Sequence, residues 1–171
     1  MSPEVDTVSV RPLVQTDIAA WRVFYTGLTD RSVYRRFFGS HPHPSDAEVS
    51  HFFDVDHVER MAFIAEQNGT IVGMGRYDRI GTLGAEIALI STNDDEDNGV
   101  DPSLLEHLVG HARHQGVHQF LAATVTDNTE MANVFRNAGF QAQTSTSTGI
   151  TRVALDLTPD SVGELDLDSQ I

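Results

Sequence analysis

The segment from residue 94 to residue 101 concentrates acid where a strand turns into a helix. Its carboxylates, with no base among them, are Asp94, Asp95, Glu96, Asp97 and Asp101. A helix N-terminus is ordinarily an anion site, because free backbone N–H groups and the helix dipole both favour negative charge. Here the acidic side chains would repel the anion that the backbone N–H groups would otherwise bind.

Three interpretations of this acidic segment remain open. Acids near a helix N-terminus stabilise its dipole by about 0.3–1 kcal/mol each, which describes a solvated, well-capped helix start. Asp94, Glu96, Asn98 and Gly99 match the first half of a calcium loop, but the twelfth position holds Leu105 instead of Glu. The match to a calcium loop is therefore incomplete, and no residue is assigned as a metal ligand. Residual nucleotide binding through backbone N–H groups is the third interpretation.

Four histidines lie at helical offsets near the middle of the chain: His107, His111, His114 and His118. Imidazole is a common metal ligand and titrates near neutral pH, so the spacing suggests a metal site or a pH sensor. However, Gly116 is expected to end the helix before His118, and no carboxylate completes a ligand set. Packing at the helix surface is the favoured role.

A basic cluster of Arg31, Arg35 and Arg36 surrounds Tyr34. It could steer an acidic group towards the protein. The alternative is that these arginines pair with the abundant surface acids.

Composition restricts the function classes. The chain has 171 residues, 40% hydrophobic, a formal net charge of −14 and no cysteine. Strong negative charge argues against nucleic acid or an anionic membrane as a partner, since both require a cationic surface. An amine or a basic protein segment is a more suitable partner. Without cysteine, disulfides and thiolate catalysis are excluded.

No apolar run reaches transmembrane length, and the first residues lack the basic start and apolar stretch of a secretory signal. A cytoplasmic location is therefore the expectation. Oligomeric state is left open, with a homodimer as one alternative.

In the first third of the chain, the sequence predicts a strand at Val8 to Leu13 and three short helices. The first helix begins at Thr16 or Asp17, the second spans Asp30 to Phe38, and the third follows Ser45. Thr16 or Asp17 can cap the first helix. Ser45 and Glu48 have the spacing of a capping box, which begins the third helix.

The central part predicts an antiparallel meander followed by a helical crossover, with strands at Met61 to Glu66, Thr70 to Tyr77, Ala85 to Ser91 and His118 to Val125. Asn68 and Gly69 form the strongest hairpin signal in the sequence. A helix from Pro102 to about His114 separates the last two strands, which are therefore expected to be parallel.

The last part predicts a helix at Glu130 to Asn137, ended by Gly139, and a hairpin of Phe140 to Thr144 with Gly149 to Leu157. The acidic tail from Pro159 is expected to be disordered. The predicted organisation is an extension over residues 1–7, a single domain over residues 8–157 and a tail over residues 158–171.

This order of elements resembles the GNAT family of acyl-CoA-dependent N-acetyltransferases. The motifs that carry the resemblance are VRPLVQTD (residues 10–17), SVYRRFFG (32–39), IVGMGRY (71–77), LLEHLVGHARHQGV (104–117) and DNTEMANVFRNAGF (127–140). SVYRRFFG and the AEIA strand are most similar to the bacterial protein-lysine acetyltransferases. The resemblance implies an α+β fold whose mixed, mostly antiparallel sheet has six to seven strands with helices on both faces.

The resemblance also implies a site for acetyl-CoA or another acyl-CoA. In the family, the fourth strand splays from the fifth, pantetheine lies in the resulting cleft, and the pyrophosphate rests on the turn that enters the central helix. The implied cofactor-binding residues are Ile87, Ala88, Leu89 and Ile90 on the strand, Asn98, Gly99 and Val100 in the turn, and Asn128 across the cleft.

The turn departs from the family pattern, because Glu96 replaces a hydrogen-bond donor and Asp101 replaces a small residue. Two unit charges about 5 Å apart repel by roughly 3 kcal/mol at an effective dielectric near 20. Micromolar affinity corresponds to only about −8 kcal/mol. Cofactor binding is therefore expected to be weakened or lost.

Glu86 corresponds to a glutamate that is similar to the catalytic base of the lysine acetyltransferases. Its alternative role is to pair with Arg76 or Arg79 on the neighbouring strand. The tyrosine that often serves the family as general acid falls at or next to Phe135, which cannot donate a proton.

Two functional hypotheses follow. The first is an N-acyltransferase that uses acyl-CoA, with Glu86 as base and an amine acceptor in a cleft lined by the first helices. The second is a non-catalytic GNAT-fold binding or regulatory module that does not use CoA. The acidic turn favours the second hypothesis, and Glu86 with the Asp127–Asn128 pair favours the first.

Overall fold

A computed structural model describes residues 7–28, 45–91, 100–125, 135–136 and 139–157. Seven strands form one sheet: β1 (Ser9–Pro12), β2 (Arg60–Gln67), β3 (Thr70–Ile80), β4 (Gly84–Ser91), β5 (Gln119–Val125), β6 (Ala142–Ser147) and β7 (Ile150–Asp156). The strand order is β1-β2-β3-β4-β5-β7-β6. Only β4 and β5 pair in parallel, which confirms the predicted mixed, mostly antiparallel α+β sheet.

The helices whose bounds are described and that pack on this sheet are α1 (Ile18–Thr26), α2 (Asp46–Phe53) and α3 (Val100–His114). The capping box predicted for α2 is present. The backbone N–H of Ser45 donates to Oε2 of Glu48 at 2.7 Å, and the Glu48 N–H donates to Oγ of Ser45 at 3.2 Å. These bonds satisfy two donors that a helix start leaves free.

The cap predicted at Thr16 or Asp17 is wrong. A 3-10 turn at Gln15–Asp17 leads directly into α1, and Asp17 makes no side-chain cap to that helix. Its carboxylate instead accepts the Val14 N–H at 2.8 Å and two N–H groups of Arg11 at 2.7 and 2.9 Å. The ion pair with Arg11 and the bond from the Val14 N–H thus occupy the carboxylate that was expected to cap α1.

The two hairpins follow their turn residues. Asn68 and Gly69 both have positive φ, 54° and 76°, as the predicted tight β2–β3 turn requires. Thr148 and Gly149 repeat this pattern between β6 and β7, with φ of 50° and 79°. The predicted strand at Phe140 to Thr144 is shifted, because β6 begins at Ala142 and continues to Ser147.

Helix α3 covers one face of the sheet and forms the larger core with it. The helix ends where Gly116 adopts φ of 79°, as predicted, and β5 follows in parallel with β4. Leu104, Leu105 and Leu108 are fully buried between α3 and the strands. Helices α1 and α2 pack around Trp21 on the opposite face. Helices on both faces were predicted, and the structure confirms them.

The helix predicted at Asp30 to Phe38 and the acidic tail lie outside the described residues. Of the helix predicted at Glu130 to Asn137, only residues 135 and 136 are described, and both are helical. Within the described segments, no helix is both long enough and apolar enough to cross a membrane.

Candidate active site

Strands β4 and β5 pair only at their beginnings. Gly84, Ala85 and Glu86 pair with Gln119, Phe120 and Leu121. Beyond Glu86, β4 remains paired with β3 as far as Ser91, and β5 remains paired with β7 as far as Val125. In the described part of both strands, no further pair joins β4 to β5, so a fork opens in the sheet directly after Glu86.

The β4 edge of this fork consists of residues 87–90. Ile87 and Leu89 pack towards α3, whereas Ala88 and Ile90 adjoin Trp21 and Tyr25 on the opposite face, where only about 10 Å³ of space remains. The side chains are therefore engaged by packing. The backbone edge facing the fork can still pair with an extended amide-containing ligand, which would act as an additional strand.

Val100, the first residue of α3, lies near the open end of β4. Val100 and Ile90 both lie close to Gly73. If Gly73 carried a Cβ, that atom would be 2.5 Å from Cγ1 of Val100 and 3.5 Å from the carbonyl oxygen of Ile90. The N-terminus of α3 thus adjoins the far end of the predicted cofactor strand. Asp101 lies in the first turn of α3.

The remaining predicted cofactor residues, Asn98, Gly99 and Asn128, lie outside the described residues. The same holds for the acids from Asp94 to Asp97. Their predicted roles, including repulsion of the cofactor, stay predictions.

Glu86 occupies the vertex of the fork. Its side chain is exposed, and on the ladder it faces Asp78 of β3 on one side and Leu121 of β5 on the other. Among the described residues, Glu86 forms no hydrogen bond or ion pair. Its carboxylate is therefore available to a ligand.

The predicted alternative partners of Glu86 are occupied elsewhere, so that alternative is wrong. Arg76 donates to Asp78 at 2.6 and 3.1 Å and to the carbonyl of Phe52 at 3.0 Å. Arg79 donates to the Gln115 carbonyl at 2.8 Å. The charge of Asp78 is thereby compensated, which reduces its repulsion of the neighbouring Glu86.

An open trough of about 510 Å³ extends from Glu86 across the sheet. Its lining comes from β3 to β7 and includes Ile80, Leu121, Ala154 and Arg152. The predicted cleft was lined by the first helices, but no residue of α1 or α2 contributes among the described residues. Sequence reasoning missed Arg152, because its position near Glu86 depends on the register of three strands.

Two of the four histidines, His107 and His111, pack against aromatic side chains of the sheet. The Tyr77 hydroxyl lies 2.7 Å from Nδ1 of His111, and Phe63 packs beside His107 and His111. Burial raises the pKa of Tyr77 to about 12 and lowers the pKa of His111, so a neutral phenol can donate to a neutral imidazole. No group of metal-binding side chains occurs within the described ranges.

Phe135 is fully buried in the core beneath α3. It cannot serve as an acid, since it has no ionisable group and packs against apolar side chains. Position 135 therefore supplies no acid, and Glu86 remains the predicted base at the fork.

The fold and the fork define the class of protein to which the chain belongs. Residues 8–141 match the family model described as an acetyltransferase (GNAT) domain. The chain therefore belongs to the GNAT acetyltransferase family.

Individual relatives place it near bacterial protein acetyltransferases. An acetyltransferase of Pseudomonas aeruginosa is 30% identical over 141 residues, which are 80% of this chain and 76% of that protein. Acetyltransferase Pat of Mycolicibacterium smegmatis is 25% identical over 134 residues, covering 76% of this chain but 40% of that protein.

Solved structures agree with this placement. The crystal structure of the GNAT domain of S. lividans PAT has a TM-score of 0.80 and 30% identity, covering 91% of this chain and 99% of that domain. A protein from Salmonella typhimurium, solved with its cofactor acetyl-CoA, has a TM-score of 0.69 and 17% identity, covering 89% of this chain and 95% of that chain. At that identity the likeness shows the fold alone.

Proposed function

We propose that this protein transfers an acetyl group, or another small acyl group, from acyl-CoA to a primary amine, such as a lysine on a basic protein segment. The observation that carries the proposal is the carboxylate of Glu86, which has no partner among the described residues and lies where β4 and β5 part. The family membership supports the same chemistry.

The β4 edge suits a CoA-type cofactor. Residues 87–90 present a backbone edge that is not paired with β5, and the pantetheine arm of CoA contains amides that can pair with such an edge. Ile87, Ala88, Leu89 and Ile90 would hold that arm, and Val100 adjoins the far end of the same strand. When bound, acyl-CoA supplies an activated acyl group.

Glu86 would prepare the acceptor. A primary amine is mostly protonated at neutral pH, and only the neutral form is a nucleophile. The Glu86 carboxylate can accept a proton from the ammonium, either directly or through one water. Backbone N–H groups along β4 would polarise the acyl carbonyl oxygen. The amine nitrogen would lose a second proton, to water or to the sulfur, as its bond to the acyl carbon replaces the carbon–sulfur bond. The chain then needs no acid at position 135, which holds phenylalanine.

The test combines calorimetric titration with acetyl-CoA and a transfer assay on lysine peptides. We expect wild type to bind acetyl-CoA and to transfer the acetyl group. Glu86→Gln should lower kcat by about 100-fold or more with little change in cofactor affinity, since a general base contributes this order of magnitude. Glu106→Gln is the matched control, because Glu106 is an exposed glutamate on α3.

Two results would contradict the acyltransferase proposal or the role of Glu86. If wild type binds neither acetyl-CoA nor CoA at millimolar concentration, the acyltransferase proposal fails and the non-catalytic module is favoured. If Glu86→Gln and Glu106→Gln have equal activity, Glu86 is not the base.

A further inference from the structure

Two side chains of opposite charge border the trough, and neither has a partner in the described part of the chain. Glu86 lies at its β4 margin, and Arg152 lies on β7. Both are exposed and form no hydrogen bond or ion pair there. In contrast, Arg11, Arg76 and Arg79 are all engaged with carboxylates or backbone carbonyls.

Strand register places both charges on the same face of the sheet. Glu86 pairs with Leu121, which in turn pairs with Ala154, two residues beyond Arg152 on β7. Because alternate residues of a strand share a face, Arg152 and Ala154 point the same way. Val153 between them is buried on the α3 side, which fixes that direction.

The surface between the two charges is apolar. Leu121 is 38% exposed, Ala154 lies beside it on the ladder, and Ala123 of β5 lies beside Arg152. The aliphatic stem of a lysine can cover such a surface while its ammonium reaches a carboxylate. This floor thus suits an amine at the end of a flexible alkyl chain.

The separation of the charges sets the length of the ligand. The Cα atoms of Glu86 and Arg152 are roughly 12 Å apart, because two strand spacings across the sheet and two residues along a strand separate them. An extended peptide advances about 3.3–3.6 Å per residue. A second group that reaches Arg152 would therefore lie about two to four residues from the lysine.

We propose that Arg152 determines acceptor specificity, and that the acceptor is a lysine with an acidic residue two to four positions away in an extended segment. The proposal rests on the proposed amine site at Glu86. Arg152 recognises the acidic side chain because a guanidinium can bind a carboxylate through two parallel hydrogen bonds. The opposite charges of Glu86 and Arg152 also fix the direction in which the segment lies.

The test measures peptide binding directly, so that it does not depend on turnover. Three fluorescently labelled peptides are compared, each with one lysine. The first carries Asp three positions from the lysine, the second carries Asn at that position, and the third carries Asp eight positions from the lysine. Binding is measured by anisotropy in about 50 mM salt, where surface charges are only partly screened. We expect wild type to bind the first peptide roughly three- to tenfold more tightly than the other two.

Substitutions assign the preference to Arg152. Arg152→Gln should remove the preference, and Arg152→Glu should favour a peptide with Arg in place of the Asp. Arg22→Gln is the matched control and should keep the wild-type pattern. It makes the same charge change at an exposed arginine on α1 that pairs with Asp46.

The specificity proposal is overturned if wild type binds the three peptides equally or not at all, or if Arg152→Gln retains the preference. Acetyl transfer to the same peptides is measured in parallel. Transfer without any preference overturns the role of Arg152 alone, whereas preferential binding without transfer overturns the acyltransferase alone.

Discussion

Asp17 and Glu86 are both carboxylates next to the sheet, but their surroundings differ in kind. The Asp17 side chain is 8% exposed and lies 2.7 Å from the Arg11 guanidinium, which also contacts Glu66 at 2.6 Å. Glu86 is exposed and has no such partner in the described part of the chain. A carboxylate held in this way stabilises the fold, whereas a free one at a fork in the sheet is available for chemistry.

Replacing Asp17 by Asn should lower the free energy of unfolding by about 1–3 kcal/mol at pH 7, because Arg11 loses one of its two charged partners and keeps only Glu66. The hydrogen bond from Arg11 holds the pKa of Asp17 below its ordinary value of 3.8. The stabilisation is therefore fully present above pH 3.8 and lost as pH falls through the folded-state pKa.

Denaturant unfolding of wild type and Asp17→Asn at a series of pH values checks this prediction. Asp46→Asn is the control, because its side chain is fully exposed and 3.3 Å from Arg22. It should have almost no effect, as exposed ion pairs contribute little. A wild-type advantage that stays constant down to about pH 2 would contradict the assigned role of Asp17.

At the scale of elements, the contact of α3 with β3 depends on two glycines. A Cβ on Gly73 would lie 2.5 Å from Cγ1 of Val100, and one on Gly75 would lie 2.8 Å from Cδ1 of Leu108. Such distances are shorter than van der Waals contact allows. The helix thus approaches the strand closely because these positions carry no side chain, and this approach places the α3 N-terminus at the end of β4.

Gly73→Ala should destabilise the protein by about 1–3 kcal/mol, since overpacking a well-packed core forces side chains or backbone to shift. Valine is branched at Cβ and has few alternative rotamers, so Val100 cannot easily yield. Thermal unfolding measures the effect. The proposed cofactor affinity should fall as well, because Val100 begins the helix beside the cofactor strand.

Gly110→Ala is the internal control for this change. Gly110 is an exposed residue within α3, and no atom lies within 4 Å of the position of an added Cβ. Alanine there should stabilise the protein by about 0.5–1 kcal/mol through helix propensity. If both substitutions change the stability in the same direction, the close approach of α3 does not explain the glycine at position 73.

Element prediction succeeded where the signal was local. The Ser45–Glu48 capping box, the Asn68–Gly69 turn and the helix end at Gly116 each depend on residues close in sequence, and all three are confirmed. The cap at Asp17 was wrong, because Arg11 and the Val14 N–H compete for the same carboxylate. Both competitors lie within six residues of Asp17, but which group the carboxylate accepts from depends on the geometry of the turn between β1 and α1.

At the scale of the whole molecule, charge opposes the proposed cofactor. The chain carries a formal net charge of −14, and CoA is an anion through its phosphates. The affinity for acetyl-CoA should therefore rise several-fold when salt increases from about 10 mM to about 150 mM, as the screening length shortens from about 30 Å to about 8 Å. Calorimetric titration at both salt concentrations measures this change.

The variant with Glu96→Gln and Asp101→Gly together identifies the source of this dependence. It should bind more tightly at low salt and show a flatter salt response, because the family resemblance implies that these two acids adjoin the pyrophosphate and Coulomb repulsion is largest at short distance. Affinity that falls as salt rises would contradict the electrostatic argument, since it would reveal net attraction between protein and cofactor.

The sequence by itself determined the strand and helix order, the family resemblance and Glu86 as candidate base, because these depend on periodicity, turn chemistry and motif spacing along the chain. Only the tertiary structure decided that Arg76 compensates the charge of Asp78, that Glu86 lies at the fork without a partner in the described ranges, and that Arg152 lies on the same face of the sheet. Residues 66 positions apart in the chain became neighbours across a trough through the register of β4, β5 and β7. Register is set by the packing of whole strands, which no local pattern encodes.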